Sequence, residues 1–158
     1  MQLLVVRHGH AVPKGAWRGK DEARPLVARG ERQAKSLAKT LSSHRPTKIV
    51  ASPALRCQQT VEPLANARGL KVITRSALGV RAGERAVGFI NDLVASNGTS
   101  TTVVLCTHRE VIIDVLPALS DRFAVDLGHQ LPGAKGGTWI LDFRKHTLTT
   151  IRYIPPKP

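Results

Sequence analysis

The sequence predicts an α/β fold, a three-layer α/β/α sandwich with a largely parallel central sheet. Short, β-rich apolar runs alternate with stretches of helical period almost throughout the chain. The length of 158 residues and the hydrophobic content of 42% suffice for one buried core. No repeat, linker-like stretch or low-complexity tract interrupts the pattern. We therefore expect a single domain over residues 1–158.

The chain begins with a strand and a helix. Leu3 to Val6 is a short apolar run typical of a buried strand that delivers polar residues at its carboxyl end. A loop with Pro13, Gly15 and Gly19 follows. From Ala28 to Leu41 the apolar residues recur at intervals of three and four, which predicts an amphipathic helix.

A second strand–helix unit follows. Lys48 to Ala51 is predicted as a strand. Ser52 and Pro53 are expected to open the next helix, because serine caps a helix and proline fixes the φ of its first turn. This helix is predicted to run to about Ala67 and to end before Gly69.

The same alternation continues to the end of the sequence. Thr101 to Cys106 is strongly β-branched, which predicts a central strand of the sheet. The other predicted strands in this part of the chain are Lys71 to Thr74, Thr138 to Phe143 and Thr147 to Ile151, and the predicted helices are Glu84 to Ala95 and Arg109 to Leu119. The last two strands form a closing pair joined near Lys145.

Composition points to an anionic partner. The chain has 24 Lys and Arg against 11 Asp and Glu, a formal charge of +13, which attracts phosphate compounds and nucleotides. Nucleic acid is disfavoured, because aromatic residues for base stacking make up only 4%. Cys57 and Cys106 are expected in the core, without a disulfide framework. We expect a cytoplasmic protein without a membrane-spanning helix or secretion signal.

Two histidines follow strands of the predicted sheet. His8 ends the first strand, and His108 follows the β-branched strand by two residues. In open α/β sheets ligands gather beyond the carboxyl ends of the strands. If the two strands are neighbours, the imidazoles face each other across one crevice. Arg7 flanks His8, and Arg56 can reach the crevice from the second helix. Guanidinium groups offer planar, permanently charged donors, which suit a phosphoryl group.

These residues also resemble the histidine phosphatases, the phosphoglycerate mutase-like superfamily, over nearly the whole chain. The motifs that carry the resemblance are Arg7-His8-Gly9, the stretch from Ser52 to Thr60, and Thr107-His108. Arg24-Pro25-Leu26, followed by Gly30 and Gln33-Ala34, is similar to the short SixA-like branch, which removes phosphate from phosphohistidine. The stretch from Arg56 to Ala65 is similar to the phosphatase-like domain of some actinobacterial MutT-type Nudix proteins.

The resemblance implies a phosphohydrolase that requires neither a metal nor a cofactor. Neutral His8 would attack phosphorus and become phosphohistidine, which water then hydrolyses. His108, Arg7 and Arg56 would stabilise the transferring group. Arg24, Gly9 and Glu84 are the expected substrate-binding residues.

The sequence departs from larger family members in its proton donor. Those members carry a carboxylic acid after the third strand, where this chain has Leu78-Gly79-Val80-Arg81. Glu84 is the nearest substitute, or it is only a helix-start residue that interacts with the helix dipole. Without an acid the substrate needs a good leaving group, such as that of phosphohistidine or a phosphoanhydride.

Three alternatives remain open. Phosphohistidine on a protein is the expected substrate, and a small phosphate compound derived from a nucleotide is the alternative. The protein could be an inactive module that binds anions or nucleic acid and has lost turnover. His8 and His10 could form an HxH metal motif, although no cluster of further ligands accompanies them.

Overall fold

The computed structural model describes residues 1–157. Six strands and four α-helices alternate as expected from the sequence. The strands are β1 Gln2–Arg7, β2 Lys48–Ala51, β3 Val72–Thr74, β4 Thr102–Thr107, β5 Thr138–Arg144 and β6 Thr147–Ile154. The helices are α1 Ala28–Ser42, α2 Leu55–Arg68, α3 Glu84–Ser96 and α4 Arg109–Phe123.

All six strands form one sheet, in the order β3-β2-β4-β1-β5-β6. The first four of these are mutually parallel, and β5 and β6 add an antiparallel edge. The β-branched strand β4 lies in the middle, as its composition predicts. Because β1 and β4 are parallel neighbours in register, Arg7 pairs with Thr107 and both strands end at the same edge of the sheet.

Alternate residues of each central strand face opposite layers, which produces two cores. Leu3 and Val5 pack with apolar residues of α3 and α4 on one face. Leu4 and Val6 pack with residues of α1 and α2 on the other face. The fold is therefore the predicted three-layer α/β/α sandwich. No helix within residues 1–157 is both long enough and apolar enough to cross a membrane.

The start of α2 differs from the sequence-based expectation. The helix begins at Leu55, and its N-cap residue is Ala54, which makes no side-chain cap. Ser52 does not cap the helix, because its hydroxyl lies 2.7 Å from His108 Nε2 and accepts a hydrogen bond from the Ala54 N–H. The predicted end is correct, since Gly69 closes α2 with a φ of 64°.

Candidate active site

The candidate site lies at the carboxyl ends of β1 and β4, where the sequence places its two histidines. His8 follows β1, and His108 is the residue before α4. Their ring centroids are 5.4 Å apart, with the ring planes at 67° to each other. Both rings are buried. The expected meeting of the two imidazoles in one crevice is present.

The local backbone fixes the protonation pattern of His8. Its Nδ1 lies 2.8 Å from the Gly9 carbonyl oxygen, which can only accept, so Nδ1 carries the proton. Burial lowers the pKa of His8 to about 3, and the positive charges around it contribute in the same direction. His8 is therefore neutral at physiological pH, with a lone pair on Nε2. This is the form that a nucleophilic imidazole requires.

The depressed pKa of His8 predicts a specific pH dependence of stability. The imidazole binds a proton with a pKa of 6.5 when unfolded and about 3 when folded, so in this window the unfolded state binds more protons. The stabilisation is therefore complete above pH 6.5 and is lost as pH falls toward 3. Between pH 7.5 and 5, the wild-type protein should lose about 2 kcal/mol more unfolding free energy than His8→Gln. Denaturant titrations of both proteins measure this difference, and identical pH slopes would contradict it.

Arg56 connects the second histidine to a loop carboxylate. Its guanidinium lies almost fully buried near the start of α2 and donates through Nη1 to the Asp21 backbone oxygen at 2.8 Å. Nη2 lies 3.0 Å from Asp21 Oδ2 and 3.3 Å from His108 Nδ1. Because Arg56 can only donate, His108 Nδ1 accepts and its Nε2 carries the proton toward Ser52. His108 is held at both ring nitrogens.

Arg7 is held from the opposite side of the cleft. Its Nη1 donates to the Gly133 carbonyl at 2.6 Å, in the loop before β5. Within the described chain, the Nε–H groups of Arg7 and Arg56 are buried and have no hydrogen-bond partner. Unsatisfied buried donors on two cations of one cleft are typical of a site for an anion.

Arg24 also lies at the cleft, and Asp21 links it to Arg56. The Arg24 Nε donates to Asp21 Oδ1 at 3.0 Å, and its Nη1 donates to the Val12 carbonyl at 2.7 Å. The Arg24 side chain is only 13% exposed. Burial alone would raise the pKa of Asp21, but the hydrogen bond from Arg24 and the charge of Arg56 lower it. Asp21 is therefore an anion that holds two cations in place.

These groups line an open cavity of about 610 Å³. Its cationic side chains outnumber its carboxylates, Asp21 and Glu110. The cations are Arg7, Lys14, Arg24, Arg56, Arg109 and Lys135. Burial, followed by the charges of Arg7, Arg24 and Arg29, lowers the pKa of Lys135. A second lobe of about 410 Å³ continues past Asp21 and Arg56 toward Arg81 and Arg85.

Two of the predicted substrate-binding residues, Gly9 and Glu84, do not line the cavity. Glu84 is exposed in the first turn of α3 and lines neither lobe. The Gly9 N–H donates to Thr60 Oγ1 at 2.9 Å, and its carbonyl holds His8. Gly9 therefore orients the candidate nucleophile, while its polar groups are occupied by the protein. The placement of Glu84 gives no support to its role as a proton donor.

The sequence did not indicate five of the charged cavity residues. No motif marked Lys14, Asp21 and Lys135, which lie between the strands and α-helices, or Arg109 and Glu110, which lie in the first turn of α4. Asp21 and Arg24 are three residues apart, and this spacing of opposite charges could have predicted their ion pair.

The remaining candidate ligands do not form a metal site. Among residues 1–157, no three His, Cys, Asp or Glu side chains are grouped so as to hold a metal ion. Cys57 and Cys106 are fully buried and free, as expected for core residues. Cys57 Sγ contacts His108 Nε2 at 3.7 Å.

Comparison with known proteins places the chain in a family. Residues 3–79 match the model of the histidine phosphatase superfamily, branch 1. The chain is 31% identical over 157 residues to the 8-oxo-(d)GTP phosphatase of Mycolicibacterium smegmatis, a match that covers 98% of this chain and 48% of that protein. The chain thus spans about half the length of this relative.

Solved structures share the fold. The protein histidine phosphatase SixA complexed with tungstate superposes with a TM-score of 0.77 at 18% identity, covering 99% of this chain and 97% of that one. YhfR of Bacillus stearothermophilus superposes with a TM-score of 0.76 at 18% identity, covering 94% of each chain. The matched family model, the similarity of nearly this whole chain to about half of the mycobacterial phosphatase, and the fold shared with SixA agree, and the chain belongs to the histidine phosphatase superfamily.

Proposed function

We propose that the protein is a phosphohydrolase that works through a phosphohistidine intermediate on His8. The observation that carries this proposal is the state of His8, which is neutral, is anchored through Nδ1 and lies 5.4 Å, centroid to centroid, from His108 in an arginine-lined cavity. A neutral imidazole nitrogen beside fixed cations is the arrangement that phosphoryl transfer to histidine needs.

The proposed reaction has two steps. His8 Nε2 attacks phosphorus in line, the N–P bond forms, and the bond from phosphorus to the leaving group breaks. Water then attacks the phosphohistidine, which releases inorganic phosphate and restores neutral His8. Arg7, Arg56 and His108 would stabilise the charge on the transferring group in both steps. No step uses a metal ion or cofactor.

We propose two substrate classes for this reaction. Phosphohistidine on a protein fits the SixA-like size and fold, and the SixA neighbour is complexed with tungstate, a tetrahedral oxyanion. A nucleotide-derived phosphate is favoured by the 8-oxo-(d)GTP phosphatase relative and by the six cations around the cavity. In both cases we propose a single domain over residues 1–158 that acts in the cytoplasm.

A substrate panel in excess chelator tests the proposal and ranks the two classes. The panel contains an aryl phosphate, a phosphohistidine peptide, nucleoside mono-, di- and triphosphates, and phosphoglycerate. We expect turnover that chelation leaves unchanged. Loss of activity with chelator alone would contradict the metal-free mechanism. Binding of these compounds without turnover would identify an inactive anion-binding module instead.

Arg24→Ala is expected to lower kcat/KM on the best substrate of this panel by about tenfold or more. The loss of one charged hydrogen bond to substrate is worth roughly 1.5–3 kcal/mol. Steady-state kinetics measure the effect, with exposed Arg32→Ala on α1 as the matched control. Wild-type kcat/KM in Arg24→Ala would show that its contacts with Asp21 and Val12 are purely structural.

A further inference from the structure

His10 lines the cavity two residues after the proposed nucleophile, and the phosphoenzyme mechanism gives it no role. Its backbone is fixed at both ends. Its N–H donates to Gln33 Oε1 at 2.9 Å, and its carbonyl accepts from the Val27 N–H at 3.0 Å. Helix α1 approaches so closely that a Cβ at Gly30 would overlap the His10 carbonyl oxygen. The fold therefore holds this residue in one place beside the reaction centre.

The buried Gln33 also fixes the ring of His10. Gln33 Nε2 donates to the Lys135 carbonyl at 2.9 Å, and the His10 N–H points at Oε1, so the orientation of the amide is determined. Gln33 Oε1 also lies 2.9 Å from His10 Nδ1. An amide oxygen only accepts, so Nδ1 carries a proton and Nε2 is the nitrogen left for chemistry.

The other proton-transfer groups of the cavity are engaged or loosely placed. Both ring nitrogens of His108 are bonded, to Arg56 and Ser52. Asp21 is paired with two arginines and has a lowered pKa, so it is a poor acid. Glu110 lines the cavity but is exposed, in the first turn of α4. Apart from the nucleophilic nitrogen of His8, His10 Nε2 is the uncommitted imidazole nitrogen in the cavity.

We infer that His10 is the proton donor to the leaving group and then the base that activates water, a role that rests on the proposed function of the site. In the first step His10 imidazolium gives its Nε2 proton to the leaving oxygen or nitrogen as the bond to phosphorus breaks. In the second step neutral His10 takes a proton from the attacking water, which restores the imidazolium. Imidazole can both donate and accept a proton, as a general acid–base group must.

This role widens the substrate class. A donor at position 10 replaces the carboxylic acid that the segment after the third strand lacks. Phosphate monoesters with poor leaving groups, such as nucleoside 5′-monophosphates, then become substrates alongside phosphoramidates and anhydrides. Protonation matters most for these esters, because an alkoxide is a much worse leaving group than an alcohol.

His10→Gln tests the inference through the leaving group. We expect kcat/KM for 4-nitrophenyl phosphate, whose leaving group needs no proton, to fall less than about fivefold, whereas kcat/KM for an alkyl phosphate falls about 10²-fold or more. His146→Gln is the matched control, since that ring is bonded to the Val94 carbonyl outside the cavity. Equal losses on both substrates, or no loss on either, would overturn the role.

Failure of this inference is distinguishable from failure of the proposed function. His10→Gln should still form phosphohistidine on His8 with 4-nitrophenyl phosphate, which also shows that the variant is folded. If the wild-type protein forms no phosphoenzyme, the proposed function fails. If phosphoenzyme forms and the loss in His10→Gln is independent of the leaving group, only the role of His10 fails.

Discussion

His8→Ala is expected to abolish turnover, with kcat/KM reduced by about 10⁴-fold or more on every substrate that the wild-type protein hydrolyses. The substitution removes the imidazole whose Nδ1 is bonded to the Gly9 carbonyl and whose Nε2 is therefore unprotonated and free to attack. The positively charged groups of the cavity remain, but the nitrogen that forms the N–P bond of the first step is gone. The measurement is a progress curve at high enzyme concentration.

The control separates loss of chemistry from loss of folding. His44→Ala removes an imidazole that is bonded to Gln2 at the other end of β1, and it should leave kcat/KM within about twofold. His8→Ala should still bind inorganic phosphate, since Arg7 and Arg56 are unchanged. Substantial turnover by His8→Ala would show that another group is the nucleophile.

Arg56→Lys is expected to give the second largest loss, about 10²–10³-fold in kcat. The substitution keeps a positive charge but removes the planar fork that contacts Asp21 and His108 together. An ammonium group cannot donate to both partners and to a phosphoryl oxygen with the same geometry. Because the charge is needed most where negative charge develops, kcat should fall more than KM rises.

Arg68→Lys, in the last turn of the same helix, is the matched control for this variant. Arg68 is exposed, and its replacement should not change kcat. An Arg56→Lys protein that retains wild-type kcat with a raised KM would show that Arg56 only binds the ground state of the substrate. The role in stabilising the transferring group would then be wrong.

Hydrophobic period was sufficient to predict the fold. Each strand and helix expected from the alternation is present, and the β-branched composition of Thr101 to Cys106 correctly indicated a central strand. The start of α2 was not predictable, because the hydroxyl of Ser52 has a partner 56 residues away in sequence, His108, and therefore does not cap the helix. A capping rule that considers only neighbouring residues cannot predict that a distant histidine binds the serine hydroxyl.

The site residues that follow directly after strands were predictable from the sequence. His8 and His108 meet because β1 and β4 are parallel neighbours. The apolar runs predict two strands that each end near a histidine, but they do not show that these strands are adjacent. Groups delivered by loops were not predictable. Asp21 reaches Arg56 across 35 residues, and Gln33 reaches the Lys135 carbonyl across 102 residues, so neither contact has a signature in the local sequence.

Identification of the phosphorylated residue is the decisive test of His8 as the nucleophile. The protein is mixed with excess aryl phosphate, quenched in alkali within one turnover, digested and analysed by mass spectrometry for the phosphorylated peptide. We expect one phosphoryl group on His8 in the wild-type protein, none in His8→Ala, and longer persistence of the adduct in His10→Gln. Turnover without an adduct at any time, or a phosphoryl group on His108 instead of His8, would contradict this expectation.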